Sequence, residues 1–235
     1  MKRFLTVAFS ILTGLMLLLA GGIYCIDAVC FDEAFYFEQY RRLNTADSIG
    51  MSQEDLDKTT EKLLGYLKDE EKDLSVQAEI GGKTREVFNQ KEKEHMVDVK
   101  ALYLGTMSVA YGCTIGAMIL IVIELLVTRT KRMRQMLSGY LWSNGILLAL
   151  VGTIGVYMMV DFNSFWTNFH HVFFTNDLWL LDPTTDVLIM MYPGEFFSAL
   201  VGKIAWIYGS CMLAVFIGVL AGYIYLKRKD KKSKK

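Results

Sequence analysis

The sequence predicts an all-α membrane protein: four transmembrane helices, a small mainly helical extracytoplasmic domain and an aromatic extracytoplasmic loop. Three observations carry this. The chain of 235 residues is 53% hydrophobic with a mean hydropathy of +0.29, too apolar for an ordinary soluble domain. Its apolar residues are clumped into four runs, about 4–26, 102–127, 140–160 and 196–226. Each is long enough for the roughly 20 residues that a helix needs to cross a hydrocarbon core. Inside a bilayer no water satisfies backbone groups, so such runs must be helical. Finally, the formal net charge of +0 hides a division of charge along the chain.

That division sets the orientation. Lys2 and Arg3 precede the first span, Arg129, Lys131, Arg132 and Arg134 lie between the second and third, and Lys227, Arg228, Lys229, Lys231, Lys232, Lys234 and Lys235 follow the fourth. The segment between spans one and two is acid-rich, and 161–197 contains no Lys or Arg. The positive-inside rule then puts both termini in the cytoplasm and two segments outside. In order, the expected organisation is a first helix and its outer end at 1–29, an outside domain at 30–101, span two at 102–127, and a cytoplasmic loop at 128–139. Span three follows at 140–160, an outside loop at 161–195, span four at 196–226 and a basic tail at 227–235. The first run follows Lys2-Arg3 as a signal peptide would. It is longer than a usual signal core and has no clear cleavage site, so it is expected to be a retained anchor.

Within the outside domain, Phe31, Phe35, Tyr36, Phe37 and Tyr40 suit an interfacial aromatic shelf. Ser52 is a good N-cap with Glu54 and Asp55 behind it, and Leu56, Leu63, Leu64 and Leu67 fall near helical spacing, so a helix is expected over 53–68. Ile80-Gly81-Gly82-Lys83 reads as a turn joining short extended pieces, and a second polar helix is expected over 84–100, running into span two. In the outside loop, Asp182-Pro183-Thr184-Thr185 is a turn and Pro193 suits the first turn of span four.

The chemistry-bearing residues are few. All three histidines, His95, His170 and His171, fall in segments flanking spans. Imidazole exchanges protons near neutral pH, so their placement suggests acid–base work on a lipid or lipid-linked substrate. On a helix Asp98 shares a face with His95 and could orient it. One of His170 and His171 should be buried by the surrounding aromatics, Trp179 among them. Three histidines could in principle hold zinc. Adjacent histidines rarely face the same way, however, and no metal is expected. Lys203 lies about 10 Å inside span four, where an ionisable group invites a functional reading but can also snorkel. Glu124, within reach of Arg129, is read as structural. Cys113 and Cys211 read as packing residues, and Cys25 and Cys30 sit where a disulfide is chemically possible. There is no G-x-S-x-G elbow, Walker loop or H-E-x-x-H, and the small juxtamembrane basic patches do not suggest nucleic acid.

The run His95-Met96-Val97-Asp98-Val99-Lys100 before a span resembles part of the lipoprotein intramolecular transacylase family. So do Phe169-His170 leading through Trp179, Asp182-Pro183, Asp186, Leu188-Ile189, Pro193 and Phe196-Phe197. The resemblance covers nearly the whole chain. It implies a bacterial cell-membrane enzyme whose substrate is a diacylated lipoprotein. The enzyme moves the sn-2 acyl chain of the S-diacylglyceryl cysteine to that cysteine's α-amino group, giving the N-acyl, S-monoacylglyceryl (lyso) form, without a cofactor. By motif, His170 and His95 are the expected catalytic residues; Asp98, Lys203, Trp179 and Asp182 are the supporting residues expected from the whole reading. His170 is favoured as base and His95 as oxyanion donor or proton shuttle, and the sequence leaves the two roles exchangeable. The rival expectation is a non-enzymatic assembly or sensor protein whose outside domain binds a protein partner through the acid-rich stretch 53–100.

Overall fold

The computed structural model describes residues 2–127 and 130–232. Nine helices and one hairpin follow in order among them: α1 (Lys2–Cys30), α2 (Glu33–Leu43), α3 (Thr45–Ile49), α4 (Gln53–Leu67), β1 (Gln77–Ile80), β2 (Lys83–Glu86), α5 (Gln90–Val127), α6 (Thr130–Val160), α7 (Phe162–Phe173), α8 (Val187–Met191) and α9 (Gly194–Lys232). Four of these, α1, α5, α6 and α9, contain stretches long and apolar enough to cross a membrane. The side chains of Lys2, Arg3, Arg129, Lys131, Arg132, Lys234 and Lys235, on which the charge argument partly rests, lie outside the described residues. The chain divides into two compact units. One comprises 1–25, 107–165 and 205–235, the other 26–106 and 166–204.

In the first unit the outward faces are apolar: Leu148 is 74% exposed, Met159 88% and Trp206 77%. A soluble protein would not leave so continuous a greasy surface in water, whereas lipid accommodates it. What holds the unit together is close approach around α1. A Cβ on Gly14 would sit 2.3 Å from Ser143 Oγ, and one on Gly139 would sit 2.4 Å from Ser10 Cβ, so small residues let α1 and α6 pack backbone to backbone. Polar side chains reinforce the contacts. Ser143 Oγ donates to the Ile11 carbonyl at 2.9 Å, Ser10 Oγ donates to Glu124 Oε1 at 2.9 Å, and Tyr24 and Thr114 hydroxyls meet at 3.0 Å. Glu124 is thus held by Ser10. The Arg129 invoked for it falls outside the described residues.

The second unit has a conventional core. Tyr40, Leu56, Leu63, Val87, Phe88, Met191 and Phe196 are all but inaccessible. Tyr40 stacks on Phe196 at 5.5 Å, and Tyr36 and Tyr192 pack edge-on around them. Phe35, Tyr36 and Tyr40 are therefore core residues rather than an interfacial shelf, because α2 turns them inward onto α4 and the start of α9. α4 begins as expected, with Ser52 Oγ accepting from Asp55 N at 3.0 Å. The Gly81–Gly82 turn closes a two-residue hairpin with Ile80 opposite Lys83. Both glycines have φ near +60 to +80°, which only glycine adopts without strain.

Three element boundaries differ from expectation. The polar helix starts at Gln90 rather than Thr84, because 83–86 complete the hairpin. Residues from Thr130 onward, expected as loop, already belong to α6. The segment 161–195, expected as an aromatic outside loop, contains two helices, α7 and α8; the first is capped by Asp161, whose Oδ1 accepts from Ser164 N at 3.0 Å.

Candidate active site

His95 stands in the second turn of α5, on the charged stretch that precedes the apolar part beginning near residue 101. The helix starts there because Asn89 and Glu92 form a reciprocal capping box. Asn89 Oδ1 accepts from Glu92 N at 3.0 Å, and Glu92 Oε2 accepts from Asn89 N at 2.7 Å. The other oxygen of Glu92 accepts from Leu188 N at 2.6 Å, and Asn89 Nδ2 donates to Asp186 Oδ1 at 2.8 Å. Burial raises the Glu92 carboxyl above its usual range, against the pull of these two amides. The first turn of the histidine-bearing helix is therefore clamped to the start of α8.

His170 lies near the end of α7 and is 5% exposed; its neighbour His171 is exposed. The His170 ring is enclosed by aromatics. Trp179 stacks on it at 4.5 Å and 23°, Trp166 lies at 4.5 Å, Phe169 at 5.4 Å and Phe174 at 5.7 Å. Its Nδ1 is 2.7 Å from the Trp166 carbonyl one turn earlier. A carbonyl only accepts, so Nδ1 carries the proton and Nε2 keeps its lone pair. Desolvation lowers the His170 pKa below the ordinary 6.5, with the Trp166 carbonyl opposing the fall and His171 adding to it.

The two histidines that the sequence singled out are brought together. Their ring centres are 6.3 Å apart, and Phe174 packs edge-on to His95 at 5.3 Å. A nitrogen within hydrogen-bond reach of an atom puts that atom about 4 Å from its ring centre, so the two ring centres are near enough for one bound group to approach both. His95 is 8% exposed, and its Nδ1 is buried without a hydrogen-bond partner. Desolvation, with His170 adding to it, pushes its pKa down to about 4; Asp98 pulls the other way. His95 is accordingly a neutral imidazole at physiological pH, suited to donate an N–H rather than to take a proton.

The other expected residues have different places. Asp98 accepts from Asn176 Nδ2 at 2.8 Å, so its hydrogen bond anchors the loop carrying Trp179 rather than the imidazole. Asp182 builds its own turn, taking Thr184 N at 2.8 Å and Thr184 Oγ1 at 2.7 Å, while its own N–H donates to Asp186 Oδ2 at 2.8 Å. Lys203 pairs with Asp32 at 2.6 Å and lies 4.6 Å over the Phe35 ring, a structural tie that holds the Asp32 carboxyl below its usual range. Sequence reasoning gave no role to Trp166, Asn176, Asn89 or Glu92, and it named Asp186 only as part of the motif that carries the resemblance. Only the Asn89-x-x-Glu92 spacing carried a local signal.

Four helices long and apolar enough to cross a membrane, beside an enclosed pair of imidazoles, define the class as a membrane-integral protein with a candidate acid–base site. The family model described as "Lipoprotein intramolecular transacylase Lit" matches residues 11–197, so the chain belongs to that acyltransferase family. Solved structures agree in fold. The membrane-integral lipoprotein intramolecular transacylase Lit from Bacillus cereus superposes with a TM-score of 0.70 at 21% identity, covering 97% of this chain and 99% of that one. Variants of the same protein with a histidine replaced by arginine or by alanine give TM-scores of 0.71 at 20% identity. They cover 99% and 98% of this chain, and 96% and 97% of theirs. At that identity the likeness carries the fold alone. No curated protein matches the chain in sequence.

Proposed function

We propose that the enzyme converts a diacylated bacterial lipoprotein into its lyso form, with His170 as general base and His95 as a neutral donor to the oxyanion. The substrate's N-terminal cysteine carries an S-diacylglyceryl group, and its α-amine attacks the sn-2 ester carbonyl. An α-amine has a pKa near ~7.7–8.0 and is mostly protonated at neutral pH, so a base is needed. One proton of the ammonium is lost to solvent to give the free amine; as that amine attacks, Nε2 of His170 takes a second N–H proton and returns it to the departing glyceryl oxygen. Amine and ester belong to one molecule, and holding them face to face supplies an effective concentration worth about 7–11 kcal/mol. No enzyme nucleophile is required. Aromatic enclosure keeps water from the ester, which would otherwise hydrolyse.

The observation that carries this reading is the His95–His170 pair, with a carbonyl fixing the tautomer of one ring. The replacement of a histidine in the solved Bacillus cereus protein fits a histidine-dependent chemistry. The charge pattern supports a multi-pass protein of the bacterial cell membrane with both termini cytoplasmic. Segments 30–101 and 161–195 are then extracytoplasmic, where exported lipoproteins are found.

Because the acyl group moves within one molecule, substrate and product have equal mass, and fragmentation must separate them. Two diacylglyceryl lipopeptides that differ in peptide and in isotopic label of the sn-2 chain are mixed with the purified protein in bicelles. Tandem mass spectrometry should find each label on the amine of its own peptide. Label crossing between peptides, or a free fatty acid as the main product, contradicts the proposal.

A further inference from the structure

We propose that the indole N–H of Trp179 is a second hydrogen-bond donor to the reacting ester, filled only when substrate is bound. Trp179 is 8% exposed, and its Nε1 is shut from solvent and donates to no acceptor. Buried donors left unused are rare in folded proteins and costly. A phenylalanine could supply a ring at this place without an orphaned donor, so the N–H itself calls for an explanation. Indole can only donate, and the missing partner is therefore an acceptor.

Its position identifies that acceptor. The indole plane lies against the His170 ring at 4.5 Å and 23°. The loop that carries it is pinned to α5 on both sides of Trp179: Asn176 donates to Asp98, and Lys91 donates to the Leu180 carbonyl. Lys91, His95 and Asp98 are spaced i, i+4 and i+7 and share one helix face. The pinned loop therefore crosses the face that bears His95. Short turns hold the tryptophan in the loop, with Leu178 N on Asn176 Oδ1 at 3.0 Å and Leu181 N on the Trp179 carbonyl at 2.9 Å. The unpartnered Nδ1 of His95 and the unpartnered Nε1 of Trp179 both belong to residues around His170.

This role rests on the acyl-transfer reading above. The amine nitrogen bonds to the sn-2 carbonyl carbon, the π pair moves onto the carbonyl oxygen, and that oxygen accepts from Trp179 Nε1–H. The amine's proton passes to His170 Nε2. On collapse the pair returns, the bond from carbonyl carbon to glyceryl oxygen breaks, and the same proton goes to that oxygen. Preorganised donors aimed at such an oxygen are among the strongest catalytic devices.

The test uses the full-length protein in bicelles with a diacylglyceryl lipopeptide. Trp179→Phe should lower kcat by about 10²–10³-fold, the range for loss of one oxyanion donor, with KM within about threefold. Benzothienylalanine at position 179 keeps the ring shape and replaces N–H by sulfur; it should lose activity to the same extent while melting at the wild-type temperature. A loss of less than about tenfold in the benzothienyl protein, or a loss confined to KM, overturns the proposal. His170→Ala is run beside it. If that variant is inactive while the benzothienyl protein turns over normally, only the tryptophan's role fails. If the wild type itself does not convert the lipopeptide, the acyl-transfer reading fails with it.

Discussion

Three residues apart on α5, two polar sites are built in opposite ways. Around Glu92 the carboxylate oxygens are all matched. Its two oxygens take Asn89 N and Leu188 N, and Asp186 takes Asn89 Nδ2, Asp182 N and, at 3.1 Å, Thr185 Oγ1. Around His95 the accounting does not close: its own Nδ1 and the Trp179 Nε1 are buried and without partners. The first arrangement is what a folded chain does to hold elements in place. The second is kept at a cost to the free protein and makes sense where a substrate completes it. The difference separates architecture from chemistry within one helical turn, and substitutions on the two sides should separate in the same way.

The largest effect is expected on the chemical side. His170→Ala removes the proposed base and should slow acyl migration by about 10²–10⁴-fold, read by tandem mass spectrometry of the lipopeptide, while the melting temperature stays near that of the wild type. Glu92→Ala is the counterpart. It strands two buried N–H groups and should cost about 2–5 kcal/mol in chemical denaturation, with activity falling only as far as the folded fraction does. If Glu92→Ala folds normally yet loses turnover, the division drawn here is wrong.

A third outcome concerns pH. His95 has a folded pKa of about 4 against an ordinary 6.5, so between those values the unfolded chain binds more protons than the folded one. Stability from this group is complete above about pH 6.5 and declines as pH falls toward 4, by on the order of 3 kcal/mol in all. His95→Gln should flatten that part of the stability–pH curve. The smallest effect belongs to Lys203. Its ion pair with Asp32 is a third exposed on each side, so Lys203→Met should cost about 0–1 kcal/mol in a denaturation curve and leave turnover unchanged.

Much of this was legible in the sequence because its physics is local. Four apolar runs and the placement of lysine and arginine define the spans. Ser52 followed by acids starts a helix, and two adjacent glycines close a hairpin. The candidate site was legible at the level of residue type, since all three histidines of the chain fall in segments flanking the apolar runs. What the sequence could not supply depends on partners far along the chain. Asn89 meets Asp186 across 97 residues, and Asp98 meets Asn176 across 78. Hence Asp98 looked like a support for its helical neighbour and is in fact bonded to a loop. The aromatics at 31–40 carry the same composition whether they float at an interface or fill a core; only the turn of α2 decides. The Trp166 carbonyl that fixes the His170 tautomer is a backbone atom, to which side-chain patterns are blind.

The central claim is electrical: two imidazoles share one enclosed cluster, both neutral at working pH, and His170 keeps its lone pair on Nε2. The chain has only three histidines, so nitrogen NMR of histidine-labelled protein in nanodiscs can follow each ring through a titration. The expected result is His95 losing its proton near pH 4 and His170 below 6.5, with the His170 proton on Nδ1 in the neutral form. A His95 that titrates at or above 6.5, or a neutral His170 protonated on Nε2, would contradict it.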